Sequence, residues 1–175
     1  MALLISETSA FLWHEVIKSA EHRSSITLND ELEAYLISLL MRYSNKPEVA
    51  QQIFAENYLA ALQQRERQRS ISLQNVGDQC LLYAGLFPQQ AEKRHVGITY
   101  FVDLGRAAYT AMSRTSDDLY FILAFEFVAL MDVLQSIPEE PVLKPLLAFE
   151  QWEKLGSKRA YEILRTYTKG LPIRK

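Results

Sequence analysis

The chain has one cysteine, Cys80, so it cannot form an internal disulfide or present a zinc-type cysteine pair. A reducing compartment, and hence a cytoplasmic setting, is the expectation. Six glycines and six prolines in 175 residues are too few for many short strands; a sandwich or barrel needs a turn about every 8–12 residues. No apolar run reaches the roughly 18 residues that suggest a membrane span. The nearest, Leu119 to Met131, is interrupted by Glu126. The opening MALLISETSAFLWHE lacks the basic start and small-residue cleavage site of a signal peptide. There is no G-x-S-x-G, P-loop, G-x-G-x-x-G or H-E-x-x-H, so phosphate-cradling and zinc-hydrolase chemistry have no basis in sequence.

What is present is ordinary globular material, 49% apolar and 23% charged, of a length that suits one domain. The charge is uneven. Residues 1–153 carry 12 Lys and Arg against 20 Asp and Glu, whereas residues 154–175 carry 7 against 1. An acidic body and a basic C-terminal helix or tail are expected, the second docked on the first or on an acidic partner.

Apolar residues recur at helical spacing almost throughout. A first helix is expected over residues 7–22 and a second from a Thr27 cap to Tyr43, burying Leu32, Tyr35, Leu36, Leu39 and Leu40. A third opens at Asn45 and Pro47, ahead of the polar stretch QQRERQR at 63–69. The fourth starts at Ser70 or Ser72, places Leu73, Val76, Cys80, Leu81 and Ala84 on one face, and stops with Gly85 as a left-handed C-terminal residue. Gly77 inside it is read as a site of close packing. A fifth, about 89–112, is weakened near His95–Thr99, and Gly105 with Ala108 leaves a groove for a neighbour. Residues 116–135 are apolar nearly all round and are expected at the centre of the bundle. Two shorter helices follow, from Pro145 to Gly156 and from Ser157 to Gly170, with Ala160, Tyr161, Leu164 and Tyr167 inward in the last. The expected fold is thus a single all-α domain over 1–175, a bundle of about seven or eight helices.

Three motifs carry a resemblance. They are Leu73, Val76, Gly77, Asp78; then Ala84, Gly85, Leu86, Phe87, Pro88; then Tyr100, Phe101, Leu104, Gly105, Ala108, Tyr109. The pattern resembles an uncharacterised family of bacterial all-helical proteins. The resemblance implies a helical, bacterial, cytoplasmic protein and implies no activity, cofactor or catalytic residue.

The candidate chemistry is sparse. Glu92 and His95 form an E-x-x-H, half of the di-iron motif, but Phe11 and Ser19 stand where His14 and His22 would need a glutamate. Asp78, Asp103, Glu126 and Asp132 are acids in apolar helical contexts, where carboxylates either do acid–base work or pair structurally with groups such as Arg106 and Tyr109. Structural pairing is the expected outcome, and Cys80 is expected to pack as core. The basic tail with Tyr161 and Tyr167 has the residue types of a nucleic-acid surface, but both tyrosines match the apolar stripe and the pI is about 6.0. Nucleic acid is therefore disfavoured. The expected function is non-catalytic, through self-association or a protein partner, with no cofactor, metal or catalytic residue assigned. The alternative is a small-molecule or metal-binding bundle using Asp78, His95, Asp103, Arg106, Tyr109 and Glu126.

Overall fold

A computed structural model describes residues 2–45, 54–89, 97–139 and 143–168, with backbone only for 2–6, 45 and 54. Among these residues nine helices are delimited and there is no strand. They are α1 (Ala2–Ser24), α2 (Asp30–Asn45), α3 (Phe54–Leu62), α4 (Glu66–Leu86), α5 (Ile98–Met112), α6 (Leu119–Phe125), α7 (Phe127–Gln135), α8 (Pro145–Leu155) and α9 (Lys158–Tyr167). The expected all-α bundle is what forms.

Local chemistry sets most of the ends. At the close of α1, Ser25 takes a left-handed conformation (φ 56°) and the Ile26 N–H reaches back to the Glu21 carbonyl, a Schellman-type stop. The cap of α2 is Asn29, not Thr27: Asn29 Oδ1 accepts from the Leu32 N–H at 2.8 Å. Asp118 caps α6 through the Tyr120 N–H, and Ser157 caps α9 through the Ala160 N–H. Half of the polar 63–69 stretch turns out to be the solvated first turn of α4, which begins four residues earlier than Ser70.

Gly85 does not end its helix. It lies inside α4, and a Cβ there would stand 2.5 Å from the Leu134 Cβ. The stop comes at Phe87, which Pro88 keeps out of the helical region. Gly77 is a packing glycine as expected, with the Tyr109 ring over it, and Gly105 admits the Phe127 ring beside Cys80.

The 116–135 segment is two helices that meet at Glu126. Its second half is deep core, with Leu130, Met131, Val133 and Leu134 fully buried. Its first half reaches the surface, where Phe125 is 70% exposed. The centre is shared with α4, in which every residue from Val76 to Gly85 is buried and which packs on α3, α5 and α7. One apolar cluster joins α1 to α7, and a small satellite of Leu143, Ala148 and Ala160 lies beneath α8 and α9.

The last helix faces differently from its expected stripe. Ala160, Ile163 and Leu164 point toward the satellite core, while Tyr161 and Tyr167 are exposed. On α8, Leu146, Phe149 and Trp152 are exposed as well.

Gly85→Ala tests the packing. Helix propensity alone would raise stability by about 1 kcal/mol. Overpacking against Leu134 costs about 1–3 kcal/mol, so the urea midpoint is expected to fall, with an unchanged m value.

Candidate functional site

Among the acids that the sequence places in apolar helices, Asp78 is the one on which three helices, α2, α4 and α5, meet. On α4 it is buried, four residues beyond Gln74 and so on the same face. Tyr35 of α2 and Tyr109 of α5 both donate their phenol hydrogens to Asp78 Oδ1, the second at 2.7 Å. Arg42, two turns beyond Tyr35, places Nη1 3.3 Å from Asp78 Oδ2. That oxygen is held by charge, without an aligned hydrogen bond. Gln74 Nε2 donates to the Tyr35 hydroxyl at 3.3 Å. The Tyr109 ring lies 6.4 Å from that of Tyr35 and 6.3 Å from that of Tyr120 on α6.

The electrostatics of this cluster suit a brace. Burial pushes the Asp78 carboxyl up, while the two phenols and Arg42 pull it back down. Burial and the Asp78 charge push both phenols above their ordinary range, so they stay protonated and donate. A phenol serving as general acid or base needs its pKa brought toward the working pH; these move away from it. Cys80 follows the same rule: burial raises its thiol, which makes it a poor nucleophile.

The other expected site residues do not converge here. Asp103 and Arg106 are exposed, in one outer stripe with Tyr100 and Thr110. Their three-residue spacing puts them opposite the buried face of Phe101, Gly105, Ala108 and Tyr109. Glu126 is half-buried, and its backbone links α6 to α7. His95, with Glu92, lies outside the described residues. Two partners went unnoticed as partners in sequence. Tyr35 is expected in the core and Arg42 carries no expectation, although their spacing of seven puts them on one face.

A second buried carboxylate ties α9 to α7. Asp132 Oδ1 accepts from the Ser157 hydroxyl at 2.6 Å, and Oδ2 lies 3.5 Å from the Arg159 N–H. The Arg159 guanidinium instead donates to Gln135 Oε1 at 2.7 Å, and Gln135 Nε2 donates to the Ala84 carbonyl. Burial raises the Asp132 carboxyl to about 6 against these hydrogen bonds. A third charged group lies between α1 and α2, where Glu33 holds Lys18 at 2.6 Å and His14 at 3.0 Å beside Glu21. Among the described residues no three His, Cys, Asp or Glu side chains are grouped to hold a metal. No helix among them is long and apolar enough to cross a membrane.

Tyr109→Phe removes one donor from a buried carboxylate and is expected to cost about 1.5–3 kcal/mol in urea unfolding. Asp132 generates a pH prediction. Its carboxyl lies above the ordinary 3.8 in the folded chain, so its contribution is most favourable below about pH 4 and is lost as pH rises through about 6. Relative to Asp132→Asn, the native chain should lose on the order of 2–3 kcal/mol between these limits, at 1.36 kcal/mol per pKa unit. Urea titrations at pH 4, 5, 6 and 7 measure it.

No family model matches the chain, and no curated protein or solved structure matches it.

Proposed function

We propose that this is a non-catalytic protein that acts by self-association, through an aromatic surface on α8 and α9. One observation carries the reading. Leu146, Phe149 and Trp152 recur every three residues on the outside of α8, and Leu146 is 84% exposed. Phe149 and Trp152 lie 6.0 Å apart, Trp152 and Tyr161 5.5 Å, and the Arg165 guanidinium sits 5.9 Å above the Tyr161 ring. Contiguous exposed aromatics of this kind mark contact surfaces. The family resemblance adds the setting, a bacterial cytoplasm.

The occupant we infer is a second copy of this chain. Five cations and three acids stand between residues 144 and 168, so this segment as a whole carries a net charge of +2. The outer face of α1 offers the complement, with exposed Phe11 and Leu12 between exposed Glu7 and Glu15. Nucleic acid fits the aromatic face less well. Lys154 is already bonded to Glu150 at 2.9 Å and Arg165 to Glu162 at 3.4 Å, so phosphates would meet carboxylates beside the rings.

Sedimentation velocity across micromolar to millimolar concentrations tests the proposal. The expected result is association that weakens with salt and is lost in both Phe11→Glu and Trp152→Glu. Mixing the two variants should restore it, because each keeps the surface the other lacks. A strict monomer overturns the reading, as does association indifferent to both substitutions. Salt-sensitive binding of a single-stranded oligonucleotide that Trp152→Glu abolishes would also overturn it.

A further inference from the structure

A cleft of about 710 Å³ opens between the end of α1, the end of α7 and α9. Arg23, Ser25, Ser136, Lys158, Arg159 and Tyr161 are among its lining residues. The volume is that of a small-molecule site. Its cations are arranged unusually. Arg23 donates through Nε to the Ser136 carbonyl at 2.7 Å and through Nη2 to the Ile137 carbonyl at 2.8 Å. Arg159, only 7% exposed, donates through Nη1 to the neutral amide of Gln135. Among the described residues neither guanidinium has a carboxylate within ion-pair distance. Neutral partners therefore hold both in place, and Asp132 acts on the Arg159 charge only from beyond ion-pair distance. Burial works against the charged form of Arg159, and the Asp132 charge offsets it only in part.

The negative groups nearby are largely engaged elsewhere. Asp132 is taken up by the Ser157 hydroxyl and the Arg159 backbone N–H, and Glu162 pairs with Arg165. Glu139 is the remaining lining acid, set against Arg23, Lys158 and Arg159. Because Asp132 already occupies the N-terminus of α9, the attraction for an anion comes from the side chains and not from the helix dipole. The Ser25 hydroxyl supplies a neutral donor, whereas those of Ser136 and Thr166 donate to the Asp132 and Ile163 carbonyls, and Tyr161 and Ile163 supply an apolar wall.

We infer that this cleft binds a small organic anion, a carboxylate or phosphate monoester with a flat apolar body, whose oxyanion meets Arg23, Lys158 and Arg159. Planar guanidinium groups match such oxyanions in a way that a surface lysine does not. The site is separate from the proposed contact of Phe149 and Trp152, although Tyr161 borders both.

The test is calorimetric titration of the full chain with benzoate and with phenyl phosphate at fixed ionic strength. It is repeated on Trp152→Glu, so that the result does not depend on self-association. Saturable binding of at least one probe is expected, and the tighter of the two identifies the anionic group. Arg159→Gln should abolish it. Because Arg159 also braces Gln135, the second variant is Lys158→Gln, at an exposed position, which should weaken binding about threefold. Arg106→Gln, on the outer face of α5, should leave it unchanged. Unsaturable heats with both probes overturn the assignment, as does equal affinity in the native chain and Lys158→Gln.

Discussion

Close approach to the backbone of α4 is the constraint on which the rest of the molecule depends. A helix buried on every side cannot be enclosed at ordinary spacing if each neighbour must clear a Cβ. At Gly77 the Tyr109 ring fills the place a side chain would take, and at Gly85 the Leu134 side chain does so. Gly105 extends the same device to α5, where the Phe127 ring and the Cys80 side chain close over its backbone. Each glycine costs helix propensity, about 1 kcal/mol in a solvated helix. The interdigitation it permits is the packing density on which core stability depends.

Burial on all sides also removes the usual amphipathic signal. Asp78 and Gln79 sit among the enclosed residues of α4, so the helix must satisfy polar groups in its interior. The phenols of Tyr35 and Tyr109 meet that need for Asp78 while their rings serve as core. A paired buried carboxylate is not an efficient source of stability. It does fix which faces of α2, α4 and α5 meet, because a rotation of any one of them leaves a charge or a hydroxyl without its partner. Asp132 has the same role for α7 and α9 through Ser157 and Arg159.

Much of this was legible in the chain. Helical periodicity and the scarcity of Gly and Pro gave the fold class and most of the elements. What was not legible depended on which neighbour a face would meet. Residues 116–135 read as one central rod because all their apolar residues looked equally burial-bound; Glu126 divides them and leaves Phe125 in solvent. Gly85 before Leu86 and Pro88 reads as a stop in one dimension and as a packing notch in three. Asp78 and Tyr109 were named together and do meet. Asp103 and Arg106 share the apolar helical context of Asp78 and Tyr109, but their three-residue step carries them to the outer stripe. Tyr161 and Tyr167 match a stripe that would be inward only if more protein lay over α9.

The polar interior also bears on where function resides. Asp78 and Asp132, the reactive-looking groups in the core, are each consumed in bracing, and burial turns the phenols and the thiol away from catalysis. On α8 and α9 the uncommitted groups are the exposed aromatics and the guanidinium of Arg159, which has no carboxylate within ion-pair distance among the described residues. That pair of helices also packs mainly on itself. Its own apolar cluster is small, and Gln151 is buried with neither amide atom hydrogen-bonded among the described residues, a cost of about 1–3 kcal/mol. The Asp132–Ser157–Arg159 lock is thus a large share of what holds α9 in place, and Arg159 belongs both to that lock and to the anion cleft. An anion that engages Arg159 therefore acts on the same residue that seats the aromatic surface. On our reading, occupancy of the cleft and the geometry of self-association are energetically linked through this one side chain.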